Sequence, residues 1–303
     1  MAFAPVETSR HAGAPVALYY FRYGQSTGSY YAWTDATHPI TAPGSIGGIS
    51  VTYTPQPIMR KNISQSGTLD KATIEISIPR DLPITDRFRV YPPSQVVSAV
   101  IRQGHLGETQ GDYPACWVGR IVGFSFKGST VILALEPFST SMRRVGLRRN
   151  YQFSCPHVLF EPNTCRASKP HATTLVNVTS ISGNVLTMPA AWWPNTISVL
   201  KYLNGTVEYT NTDGNFEIRM ILQIINGKDL FLDGIPLGMI PGQQISAILG
   251  CNRLSGITDT NGDCTNLHVQ AGISSPVPNI INFGGQPWIP QVNPVGPGTT
   301  PYY

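Results

Sequence analysis

Five cysteines stand in the 303 residues, and four of them form two pairs: Cys155 with Cys165, and Cys251 with Cys264. Nine residues lie between the first two and twelve between the second two. Four thiolates satisfy either one tetrahedral zinc ion or the four irons of a [4Fe–4S] cluster. Both pairs fall in aperiodic sequence beside strand-like segments. Cys155-Pro-His157 and Glu161-Pro-Asn-Thr-Cys165 make a loop with two prolines, while Gly256, Asp259, Asn261, Gly262 and Asp263 let the second interval bend back on itself. Zinc ribbons place their cysteines two residues apart so that neighbouring N–H groups bond the sulfurs, and that spacing is absent. Longer intervals suit the wider attachment points of a cluster. On spacing alone an iron–sulfur cluster, a zinc ion, disulfides and unrelated buried thiols all stay open.

Other chemistry is weaker. Cys116, in Tyr113-Pro-Ala-Cys116-Trp-Val-Gly-Arg120, reads as a small apolar thiol at the start of a strand. Cys155 and His157 could form a nucleophile and base, but no third group that would orient the base is visible. The carboxylates are scattered, without an acid–base pair. Asp259-Thr-Asn-Gly-Asp263 has the flavour of a calcium loop but lacks the bidentate glutamate that closes one, so it reads as a solvated turn. No phosphate-cradling glycine pattern occurs. Arg143, Arg144, Arg148 and Arg149 are the one basic concentration; they precede Cys155, where guanidinium groups would offset the negative charge of a four-thiolate cluster.

The elements that must position these cysteines read as short strands and turns. Ile74, Ile76 and Ile78 alternate with polar residues until Pro79 ends the run. Residues 117–126 and 131–135 flank Lys127-Gly-Ser129 as a hairpin, and 59–81 with 88–91 supply further strands; 94–102 suits a strand or a short helix. Downstream, 175–181 and 185–188 flank Ser182-Gly-Asn184, 197–203 and 206–210 flank Asn204-Gly205, and 220–225 and 229–232 flank Asn226-Gly227. Residues 245–250 form a last strand that delivers Cys251. The expected fold is mainly β: two β-barrel or β-sandwich-like domains with few short helices, the second carrying the four-cysteine site. The expected divisions are 1–145, 146–274 and a Pro/Gly-rich extended tail over 275–303.

Composition fits that reading. Charged residues are 13% of the chain, about half the usual ~25%, against 29 Gly and 26 Pro. Such a surface is expected to be covered by partner subunits. A net charge of +4 is too small to imply specific nucleic-acid binding. No run approaches the ~20 apolar residues of a membrane span, and residues 1–15 lack the apolar stretch of a signal peptide. Synthesis in a cytoplasm is expected, where cysteines stay thiols or bind metals.

Several blocks in order resemble one family. They are Pro79-Arg-Asp-Leu-Pro83, Phe88-Arg-Val-Tyr-Pro-Pro93, Trp117-Val-Gly-Arg120 and Gly146-Leu-Arg-Arg-Asn-Tyr-Gln152, then Cys155-Pro-His-Val-Leu-Phe160 with Cys165, Gly250-Cys-Asn-Arg253, Cys264 and Asn282-Phe-Gly-Gly-Gln-Pro287. The set is similar to the tail hub proteins of gene transfer agents and long-tailed phages, distantly similar to the tail-tip protein L of lambdoid phages. The resemblance implies a non-enzymatic β-barrel hub of the virion tail tip. It implies a homotrimer, seated between the distal tail protein ring and the central fibre or tip protein and near the tape measure protein. It also implies a [4Fe–4S] cluster on Cys155, Cys165, Cys251 and Cys264, with Zn²⁺ as the alternative. Glu161 and Asn252 stand where family members often carry aspartate, and Cys116 is not matched to a ligand. The competing reading is a lectin-like surface-binding β module.

Overall fold

The computed structural model describes residues 13–24, 29–44, 49–63, 73–89, 93–107, 113–143, 152–258, 261–272 and 277–289. The fold is mainly β, with two short α-helices among the described residues, α1 (Pro83–Arg89) and α2 (Asp263–Asn266). The chain divides into two compact units, Met1–Val145 with Thr210–Glu217, and Gly146–Tyr209 with Ile218–Tyr303.

The first unit is built on nine strands. They are β1 (Pro15–Tyr23), β2 (Tyr30–Thr34), β3 (Ile40–Pro43), β4 (Ser50–Pro55), β5 (Met59–Arg60), β6 (Ile74–Pro79), β7 (Val97–His105), β8 (Ala115–Lys127) and β9 (Thr130–Pro137). Their order across the sheet is β3-β4-β2-β1-β7-β8-β9-β6-β5. β1 is buried on both faces, which explains its unbroken apolar run. Tyr19, Phe21 and Tyr23 enter one core with Ile76, Ile101 and Leu133, and Leu18 and Tyr20 enter another with Tyr53 and Val100. The 127–129 hairpin is a two-residue turn in which Lys127 pairs with Thr130 and Gly128 takes φ 59°. The structure corrects the start of the strand expected at 88–91, Phe88 and Arg89 lying in α1, while 90 and 91 lie outside the described residues. Pro83 opens that helix, where its missing N–H costs nothing, and Ile84 and Phe88 are buried one turn apart. Cys116 packs beside this core, its thiol donating to Ile101 O at 3.3 Å.

The second unit carries β10 (Thr173–Asn177), β11 (Ser180–Ser182), β12 (Val185–Thr187), β13 (Thr206–Thr210), β14 (Phe216–Ile225), β15 (Asp229–Leu232) and β16 (Gln244–Ile248). They run in the order β10-β16-β13-β14-β15-β12-β11. The hairpins expected around 182–184 and 226–227 form: β11 pairs with β12, and β14 with β15. Asn226 and Gly227 both take the left-handed backbone the latter turn requires, at φ 51° and 70°. The hairpin expected around Asn204-Gly205 does not form. Residues Val199–Tyr202 make a 3₁₀ turn, capped by Ser198 Oγ accepting from Leu200 N, and β13 pairs with β16 instead. Gly205 explains why. A Cβ there would stand 2.0 Å from Ile248 O, so the glycine serves a close backbone crossing as well as a turn.

β14 inverts the usual polarity. Glu217 and Arg219 are buried, while Phe216, Ile218, Met220 and Leu222 stand outward at alternate positions. An outward apolar row is the opposite of what water selects on a free sheet face.

Candidate metal centre

Cys155, Cys165, Cys251 and Cys264 line one cavity of about 440 Å³ in the second unit. β16 ends at Ile248 and delivers Cys251 to its wall. Cys155 N joins the two cysteine loops directly by donating to Arg253 O at 2.9 Å, and within the second loop Cys264 N donates to Leu254 O at 3.3 Å. Asp263 fastens the second loop to itself and to the 3₁₀ turn Val199–Tyr202. Its carboxylate accepts from Asn252 N at 2.8 Å and from Lys201 Nζ at 2.5 Å, and its side chain is 5% exposed. Asn252 returns a bond, its Oδ1 accepting from Asp263 N at 3.1 Å and from Leu254 N at 3.0 Å. Asp263 is thus a latch inside the protein rather than a calcium ligand; Asp259 lies outside the described residues.

Residues 277–289 form a third wall. Asn279, Asn282 and Phe283 line the cavity, Gly284 N donates to Cys155 Sγ at 3.4 Å, and Gln286 N reaches back to Gln152 O at 2.8 Å. His157 lines it too. Its Nδ1 lies 3.1 Å from Asn282 O, and a carbonyl only accepts, so Nδ1 carries the proton. Its Nε2 is shut off from solvent with no partner among the described residues. Gly284 makes room for this ring, since a Cβ there would fall 2.3 Å from Nε2. No hydrogen bond joins Cys155 to His157 among the described residues, which leaves the nucleophile–base reading without support.

N–H groups face several of the cavity's sulfurs. Cys251 Sγ accepts from Arg253 N at 3.3 Å, and Cys165 Sγ faces Asn279 Nδ2 at 3.7 Å, so three of the four sulfurs meet N–H donors. Burial pushes the Cys251 thiol up to about 11, the nearby Asp263, Cys165 and Cys155 adding to it against the Arg253 N–H. Burial pushes Cys264 up to about 12, with the other three cysteines and Asp263 adding to it. Burial and the neighbouring negative charge thus favour the neutral thiol at Cys251 and Cys264 in the metal-free protein. The backbone is bent to hold them: Phe160, Arg166 and Arg253 all have positive φ, at 63°, 53° and 60°.

Among the described residues no group of three or more His, Cys, Asp or Glu side chains is placed to hold a metal ion. Cys116 lies in the first unit, apart from these four. Of the arginine run, Arg144, Arg148 and Arg149 lie outside the described residues. Sequence reasoning marked Asn282 and Gly284 only as part of the block Asn282-Phe-Gly-Gly-Gln-Pro287, and it missed Asn279, which sits in a Pro/Gly-rich stretch with no periodicity to flag it. No helix among the described residues is long and apolar enough to cross a membrane.

No protein-family model and no curated protein matches the chain. Among solved structures it is similar to a chain of the virion of a native gene transfer agent particle. The TM-score is 0.68 at 15% identity, over 99% of this chain and 98% of that one. The two share a fold from end to end. A second likeness, to the Borreliella burgdorferi PlzA protein in complex with c-di-GMP, has a TM-score of 0.18 at 9% identity, over 73% of this chain and 82% of that one. No common fold is implied at that score.

Proposed function

We propose that the chain is a structural hub of a phage-like tail tip. It acts as a homotrimer between the distal tail ring and the central fibre, and Cys155, Cys165, Cys251 and Cys264 hold a [4Fe–4S] cluster that is structural. The observation that carries the hub reading is the end-to-end fold shared with a chain of a gene transfer agent virion. A fold alone hosts many functions, so the reading also draws on the ordered motifs, the low charge and the outward apolar side chains Ile218 and Leu222 of β14, suited to a partner subunit. The cluster reading draws on the shared cavity and on the N–H groups aimed at three of its sulfurs. When bound, such a group supplies four iron–sulfur bonds whose formation free energy appears as folding free energy. The protein's own part is to bring Cys155 and Cys165 against Cys251 and Cys264, nearly a hundred residues further on, and so to tie the start of the second unit to its end.

Deleting the gene in a producing strain and imaging the particles tests the hub reading. The expected result is tails without tips, with the chain recovered from wild-type particles in three copies each. Complete tips in the deletion strain would refute it.

A further inference from the structure

Asn279 is 1% exposed and touches two of the four cysteines at once. Its Nδ2 donates to Cys165 O at 2.8 Å and faces Cys165 Sγ at 3.7 Å, while its backbone O accepts the Cys264 thiol at 3.4 Å. The amide cannot turn over without loss. Asn282 Nδ2 donates to Asn279 Oδ1 at 2.8 Å, which fixes the oxygen on the far side and leaves the two amide hydrogens for Cys165. The backbone is held as well, Asn279 N donating to His268 O at 2.9 Å within the 3₁₀ turn Asn279–Asn282.

Resting on the cluster reading above, we propose that Asn279 is the positioning residue of the cysteine cavity. Its side-chain amide steadies the charge on Cys165. An N–H aimed at an anionic sulfur stabilises added negative charge, so it favours the reduced over the oxidised group and raises the reduction potential. Hydrogen bonds to charged groups are strong enough for one to shift such an equilibrium about tenfold, which for one electron is about 59 mV. Asn282 orients the amide that orients the sulfur.

The test uses the full chain, reconstituted anaerobically with ferrous iron and sulfide, as wild type, Asn279→Ala and Asn279→Asp. Iron and sulfide content are read first, and the reduction potential of the loaded protein second. Alanine removes the donor, and aspartate keeps the shape while setting carboxylate oxygens against Cys165. The expected order of potentials is wild type, then alanine about tenfold harder to reduce, then aspartate harder still. Potentials equal to wild type in the loaded fraction of either variant would overturn the proposal and leave Asn279 a packing residue. Should aspartate prevent folding, the alanine potential decides alone; should neither variant load, Asn282→Ala, which frees the amide to turn, must show the same downward shift. A wild type without iron and sulfide removes the cluster reading itself, an outcome distinct from loaded variants with unshifted potentials.

Discussion

Replacing Asp263 by alanine should loosen the cysteine loops even in metal-free protein. The carboxylate is buried, and two groups depend on it: Lys201 Nζ at 2.5 Å and Asn252 N at 2.8 Å. Removing one partner of a fully buried ion pair costs about 3–5 kcal/mol. The Lys201 side chain is 35% exposed and can turn to water, so its share falls to about 1 kcal/mol. The Asn252 N–H loses a charged acceptor, worth about 1.5–3 kcal/mol. The sum is about 2.5–4 kcal/mol, with Asp263→Asn, which keeps one acceptor oxygen, costing about half. Native-state hydrogen exchange measures this locally. Amides of residues 250–268 should lose that protection while those of β6 and β9 hold theirs. A loss under about 0.5 kcal/mol, or an equal loss in the first unit, would refute the latch.

Three other expectations follow from the geometry. Cys116→Ala should leave metal content unchanged and cost about 1–2 kcal/mol of stability, as for a small buried group, by chemical denaturation. Gly250→Ala should destabilise the second unit severely, because the added Cβ would stand 2.0 Å from Leu203 O, a backbone atom that cannot swing away; a thermal melt within a degree of wild type would contradict it. Metal-free protein should lose stability as pH rises from about 9 toward 11–12. Burial raises the folded thiols Cys251 and Cys264 above the ordinary value of 9.0, so the unfolded chain ionises first and is favoured. Denaturation midpoints across that window check the sign, and Cys251→Ser with Cys264→Ser should flatten the slope.

How much of this was legible in the residues depends on whether a signal is local. Ile74, Ile76 and Ile78 announced β6, and Asn226-Gly227 announced its hairpin, because alternation and positive φ are properties of neighbours in sequence. Asn204-Gly205 misled for the same reason: its glycine answers to Ile248 O, a residue far along the chain that spacing cannot reveal. Phe88 misled because one apolar residue fits a strand or a helix face equally, and Pro83 decided it. The outward row on β14 was hidden because its buried neighbours include Glu217 and Arg219, so polarity does not mark the inner face. The four cysteines could be named, and the structure brings them to one cavity. Asn279 could not, nor could the roles of Asn282 and Gly284 within their block, since these residues act through main-chain crossings and amide contacts that leave no pattern.

The central claim is that these four cysteines hold one iron–sulfur cluster. Its most direct test is the iron and acid-labile sulfide content of the wild-type chain, purified and reconstituted without oxygen, beside Cys251→Ser. A serine hydroxyl is a poor substitute for a thiolate toward iron. About four irons and four sulfides per wild-type chain are predicted, with most of both lost in Cys251→Ser and the exchange protection of residues 152–272 lost with them. Zinc without sulfide in the wild type, or full iron in Cys251→Ser, would contradict the account.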